Sequence, residues 1–116
     1  MATRTKAALA ANVLVHLGIT NAGESAAAVD VQYVSDRYDD CLEELIDEDL
    51  AYWPSNAIPV VMFEPLTQLV SLSVMTAFGL PLSPTDMEEG RRLYKRRIRR
   101  HVGKKSSGLA VSFEDF

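Results

Sequence analysis

From Ile58 to Gly79 the chain reads IPVVMFEPLTQLVSLSVMTAFG, and after Glu64 this stretch carries no charge. Leu66, Leu69, Val70, Met75 and Phe78 recur at helical spacing, while Thr67, Gln68, Ser71, Ser73 and Thr76 between them are mostly small or hydroxylic, with Leu72 and Val74 added. No face of such a helix wants water, so the pattern predicts a core helix that the others must wrap. Between Pro65 and Phe78 it is too short to span a bilayer, and Glu64, Gln68 and an internal proline argue against a span counted from Pro59. Pro59 is placed to open a first turn and Pro65 to kink or restart the helix. Gly79 closes it, with Leu80 and Pro81 beyond as the hydrophobic contact and the stop.

Three more helices are predicted around this one. Thr3 or Thr5 can cap the first, which runs to Leu17 with Leu9, Val13 and Leu17 on one face and Leu14 widening the stripe; Gly18 and Ile19 read as its left-handed close. Thr20 to Glu24 is a loop, and Ser25 can cap a second helix that reaches about Leu50, anchored on Val31, Val34, Tyr38, Leu42 and Leu45. Ala51 to Ala57 then turns the chain, with Trp53 either plugging the end of the bundle or standing out as an interface anchor. The fourth helix has a strong start: Ser83 as cap, Pro84 at the first helical position and Asp86 three residues after the cap. Its apolar stripe, Met87, Gly90, Tyr94, Ile98 and Val102, is narrow, so only one edge is expected to be buried. The expected fold is all-α: a four-helix bundle around a buried central helix over residues 1–102, with an extended C-terminal tail.

Residues 103–116 change character. GKKSSG is polar and glycine-containing, a linker by composition. In LAVSFEDF, Leu109, Val111 and Phe113 alternate with Ala110, Ser112 and Glu114, a period of two for which the chain offers no sheet. Two readings follow: a frayed terminus, or a tail that adds a strand to a partner's sheet and seats its aromatics in pockets.

Charge sharpens the picture. The net charge of −4 conceals eleven acids against the single base Arg37 between Glu24 and Glu64, and nine of the twelve bases with no acid between Arg91 and Lys105. The chain is a charge dipole, acidic in the middle and basic near its end. On the second helix Asp39, Asp40, Glu43, Glu44, Asp47, Glu48 and Asp49 form a carboxylate-rich face, which reads as a solvated face, a divalent cation site or an electrostatic surface; the calcium-loop spacing with its central glycine is missing. The bases Arg91, Arg92, Arg96, Arg97, Arg99, Arg100, Lys104 and Lys105 make a contact surface for phosphate or for carboxylate. A pI near 5.1 weighs against a free DNA-binding domain. The arginines can instead meet the acidic helix of a neighbouring copy, a heterologous contact that makes a ring when its rotation closes.

Catalytic chemistry leaves no trace. The two histidines, His16 and His101, stand on different predicted helices without metal-ligand spacing, and HExxH, GxSxG and a glycine-rich phosphate loop are all missing. His16 suits the negative end of its helix; Cys41 reads as a small buried hydrophobe whose acidic neighbours would raise its pKa. One cysteine makes no internal disulfide and no cysteine-based zinc site. The expectation is a protein that is not an enzyme and needs no cofactor or metal. MATRTKAALAANVLVHLG shows no secretory pattern, so a cytosolic origin without a membrane anchor is expected.

AANVLVHLGI at Ala10 to Ile19, the acidic second helix running into AYW at Ala51 to Trp53, and IPVVMFEPLTQLVSLSVMTAFG together resemble the small helical head-to-tail adaptor proteins of tailed bacteriophages, also called head-completion or connector proteins. The resemblance ends near Gly79 and lies in texture and order. It implies a virion protein at the head-tail junction, assembled in the host cytoplasm. Such a protein forms a ring beneath the portal, matches its twelve-fold symmetry, extends the channel through which DNA passes, and meets a tail or stopper protein below. On this reading Leu109, Val111, Phe113 and Phe116 dock on the portal. The acidic face then either lines the channel or meets the arginines of the next subunit. Two other readings of the residues stand: a small helical nucleic-acid-binding protein that uses the basic fourth helix, and an antitoxin-like or scaffolding module whose tail folds on another protein.

Overall fold

A computed structural model describes residues 2–114, with side chains from 2 to 102. The fold is all-α, with helices α1 (Lys6–His16), α2 (Ala28–Asp47), α3 (Val60–Val74) and α4 (Pro84–Glu114), a 3-10 turn at Thr76–Phe78, and two short strands, β1 (Thr3–Arg4) and β2 (Ile58–Pro59). Helix α3 touches α1, α2 and α4, and α1 also packs on α2. Its pattern, apolar or hydroxylic apart from the exposed Glu64 and the half-buried Gln68, is the reason: Met62, Phe63, Leu66, Leu69, Val70 and Val74 are all buried, with Thr67 and Ser71 among them. The buried hydroxyls do not go unpaired. Thr67 Oγ1 donates to the Phe63 carbonyl at 2.8 Å and accepts from Asn12 of α1 at 2.9 Å, and Ser71 Oγ donates to the Thr67 carbonyl at 2.6 Å. Small hydroxylic residues therefore let neighbouring backbones approach without an unsatisfied polar group.

The caps follow the sequence closely on α1 and α4. Thr5 Oγ1 accepts from Ala8 N at 3.1 Å, and Gly18 closes α1 at φ 76° with Ile19 N bonded to the Leu14 carbonyl. Ser83 Oγ accepts from Asp86 N at 3.1 Å, with Pro84 the first residue of α4. Gly79, at φ 77°, ends the 3-10 turn after α3. Two expectations are corrected. Helix α2 begins at Ala28 with Ala27 as cap, not at Ser25, and Asp30 supplies the negative charge its first turn favours. Of the two roles expected for Pro65, a kink or a restart, the restart is corrected: α3 runs through it, and the proline ring is buried among core side chains whose packing outweighs its lost hydrogen bond. At its far end α2 closes on Asp49 at φ 59°, with Leu50 N bonded to the Leu45 carbonyl at 2.7 Å and the Leu50 side chain turned into the core.

The segment between α2 and α3 is pinned rather than loose. Trp53 is 4% exposed and its Nε1–H donates to the Tyr38 hydroxyl at 3.1 Å, so it plugs the bundle end. Strand β1 pairs antiparallel with β2, Thr3 opposite Pro59 and Arg4 opposite Ile58, and the Arg4 guanidinium lies 4.6 Å from the centre of the Phe63 ring. This clip ties the N-terminal residues to the entrance of α3.

The backbone of α4 is helical to Glu114, where the sequence predicted a linker and an extended tail. Gly103 and Gly108 each cost a helix about 1 kcal/mol, too little to stop one, and an isolated strand has no partner for its backbone groups here. Leu109, Phe113 and Phe116 also fit a helical step in the sequence, so the period of two was one of two available readings.

Two stability tests follow. A residue with a side chain pays for φ 59° at Asp49, where its charge also opposes the helix dipole, so Asp49→Gly should raise the urea midpoint by the equivalent of about 0.5–1 kcal/mol and Asp49→Val should lower it. Burial pushes the Tyr38 hydroxyl from 10.0 up to about 12, against the opposing pull of the Trp53 hydrogen bond. The unfolded phenol ionises first, so stability is lost as pH rises from 10.0 towards about 12. Tyr38→Phe should flatten that alkaline loss and, by leaving the Trp53 N–H unpaired, cost about 1–3 kcal/mol at neutral pH.

Candidate interaction surface

The acidic helix and the basic helix meet within one chain. The Arg91 guanidinium of α4 reaches both oxygens of Glu44 at 2.8 and 2.9 Å; Lys95 Nζ bridges Glu44 at 2.6 Å and Glu48 at 2.8 Å. Glu44 and Glu48 lie one helical turn apart on α2, as do Arg91 and Lys95 on α4, so the two pairs interlock as a charge clamp. Lys95 was not singled out in the sequence, yet it is the most buried member, its side chain 17% exposed. The matching four-residue spacing on both helices was the signal that could have found it. Hydrogen bonds from Lys95 hold Glu44 below the usual carboxylate range, burial opposes this and Arg91 adds to it. Burial alone would lower Lys95, but its bonds to Glu44 and Glu48 leave it raised.

A second carboxylate is also structural. Asp39 accepts from Ser55 Oγ at 2.6 Å and from Lys6 Nζ at 3.0 Å, and Lys6 N–H donates to Asn56 at 2.9 Å. Burial tends to raise Asp39, and the bonds from Ser55 and Lys6 outweigh it, so the carboxyl is lowered. Asp39, Glu44 and Glu48, grouped in the sequence with an acidic ring or channel surface, thus have partners inside the chain. Their geometry joins three parts of one molecule.

The remaining charges divide into two outward rows. On α2, Asp36 accepts from Gln32 and Asp40 is bridged by its neighbour Arg37 at 2.8 Å, while Glu43 and Asp47 have no partner among the described residues. On α4, Arg97 bonds to Gln68 of α3, Arg92 stands 3.7 Å from Glu88, and Arg96, Arg99 and Arg100 have no partner among the described residues. The side chains of Lys104, Lys105, Leu109, Val111 and Phe113, and the whole of Phe116, lie outside the described residues. Sequence reading also missed an apolar patch. Val29, 76% exposed, and Tyr33 continue the outward row of α2; the Tyr33 ring stands edge-on to Phe78 at 5.9 Å beside a shallow concavity of about 280 Å³.

Other candidates place quietly. Cys41 Sγ lies 3.5 Å from Ser73 Oγ, and burial, with Glu44 adding and the Ser73 bond and Arg91 opposing, pushes its thiol up. The acids explain less of that shift than burial does. Among the described residues no group of three His, Cys, Asp or Glu side chains is gathered as a metal site, and no helix is long and apolar enough to cross a membrane. Comparison with family models, curated proteins and solved structures finds no match to this chain.

Because Glu44 is held below 4.5, the clamp contributes stability above that value and loses it as pH falls through the depressed range. Glu44→Gln should flatten this acid limb in urea titrations from about pH 6 to about pH 3, and Lys95→Met should cost about 0.5–1 kcal/mol at neutral pH after solvent screening. Equal acid sensitivity in Glu44→Gln and the native protein would remove the clamp from the stability argument.

Proposed function

We propose that this chain is a head-to-tail adaptor of a tailed bacteriophage, a structural virion protein and not an enzyme. It forms a ring beneath the portal, extends the DNA channel and joins head to tail. The observation that carries the reading is the length of α4. Its last buried core residue among those described is Ile98, with Val102 packed beside it, and its backbone continues as helix to Glu114. At about 1.5 Å per residue the part beyond Val102 reaches roughly 18 Å, an arm on a compact bundle. In the sequence the arm carries Leu109, Phe113 and Phe116 at helical spacing, apolar chemistry suited to a protein groove, here the portal; Val111 joins them on one face only in a strand added to a partner's sheet. The resemblance of the first part of the chain to adaptors supplies the partner. A tail or stopper protein lies below, DNA passes through the channel, and assembly takes place in the host cytoplasm with no membrane, cofactor or metal involved.

A second reading has its own support. Arg92, Arg96, Arg99 and Arg100 follow one another along α4 with little or no carboxylate compensation, the chemistry that contacts phosphates. It makes the chain a small helical nucleic-acid-binding protein.

Cosedimentation with portal rings and, separately, with duplex DNA distinguishes the two, using the protein with and without residues 109–116. Since the described core ends at Ile98 and Val102, the truncated bundle should melt within a few degrees of the full chain. The adaptor reading expects portal binding that the truncation abolishes and little affinity for duplex. Undiminished portal binding after truncation would remove the arm from the contact, and duplex binding that collapses as salt rises, without portal binding, would establish the second reading.

A further inference from the structure

The clamp removes Glu44, Glu48, Arg91 and Lys95 from any account of contact between copies. What it leaves is ordered. On the outward side of α2, Val29, Tyr33, Asp36, Asp40, Glu43 and Asp47 succeed one another at alternating steps of four and three residues, a straight stripe that is apolar at one end and acidic along the rest. On the outward side of α4, Leu93, 48% exposed, is followed at steps of three and four by Arg96 and Arg100, with Arg92 and Arg99 alongside. Laid parallel, three successive positions match: Tyr33 falls on Leu93, Asp36 beside Arg96 and Asp40 beside Arg100, while Val29 lies by Glu89 and Glu43 and Asp47 fall opposite α4 positions whose side chains lie outside the described residues.

We propose that the outward α2 stripe of one copy is the docking surface for the outward α4 stripe of a second copy of this chain. The occupant is identified by charge complementarity. A partner for the acidic stripe must be basic with an apolar end, a partner for the basic stripe must be acidic with an apolar end, and this chain carries both. A single surface ion pair contributes about 0–1 kcal/mol, but a matched row rejects like-charged partners and sets register. The two surfaces differ, so each copy keeps one of each to offer, and where the rotation closes the product is a ring. The self-contact stands on the charges alone; only its closure beneath a portal rests on the adaptor reading.

The test reverses one stripe at a time and leaves the clamp intact. One variant carries Asp36→Arg and Asp40→Arg; the other carries Arg96→Glu and Arg100→Glu. Both should retain the native helix signal and cooperative melting. Sedimentation of the full chain at about 1 mM and low salt should show native self-association that weakens at least tenfold on going to about 0.5 M salt, where charges are screened beyond a few ångströms. Each variant alone should be monomeric, and an equimolar mixture should associate again, because each offers the stripe the other lacks. A monomeric native protein under these conditions, variants that associate as the native protein does, or a mixture that stays monomeric overturns the proposal. Portal cosedimentation of the native protein is scored separately, so loss of the adaptor reading and loss of this contact give different results.

Discussion

Everything in this molecule is arranged to keep α3 out of water. Each fully buried aliphatic side chain contributes about 1.5–3 kcal/mol relative to exposure, and Met62, Leu66, Leu69, Val70 and Val74 are all buried on this one helix. No single neighbour covers such a helix, which explains why α1, α2 and α4 all contact it. The hydroxyl groups at Thr67 and Ser71 are tolerated because each bonds back into its own helix. Gly90 marks how close α4 comes: a Cβ there would stand 2.6 Å from a terminal carbon of Leu72.

Electrostatics works on a second scale. Hydrophobic burial fixes which helices touch, but burial is non-directional and permits α4 to slide or turn on α3. The clamp to Glu44 and Glu48 is directional and relates α4 to α2, whose backbones approach each other far less than either approaches α3. Lys6, Asp39 and Ser55 do the same for the N-terminal clip and the loop before α3. The acidic middle and basic end of the sequence are thus partly an intramolecular pair. The charges left over lie on outward faces, outside the clamp that ties α4 to α2, and the proposed adaptor role rests on the long α4 arm.

Local signals survived where they were self-sufficient. Thr5, Gly18, Gly79, Ser83 and Pro84 each need only their own turn of backbone, and each acts as its residue type requires. The core residues Leu9, Val13, Val34, Tyr38, Leu42 and Leu45 were legible for the same reason, since one face of a helix must be apolar before it meets anything. Ser25 failed as a cap because Ala27 takes that place, with Val31 N bonded to its carbonyl. The β1–β2 clip left no pattern, because two residues are too few to show a period. Leu109 to Phe116 satisfies two periods at once, and choosing between them depends on what the segment contacts.

The sequence by itself determined that the chain is all-α, that the Ile58 to Gly79 stretch holds the buried helix, and that acids and bases occupy separate segments. These are properties of single elements, set by side-chain period and by the chemistry of turns. Only the tertiary structure decided which charges neutralise one another. Glu43 and Glu44 are adjacent in sequence and alike in chemistry, yet their Cβ atoms point about 100° apart around α2, so Glu44 reaches Arg91 and Lys95 while Glu43 faces outward. That division depends on where α4 lies across α2, a distance of about fifty residues along the chain, and no local pattern carries it.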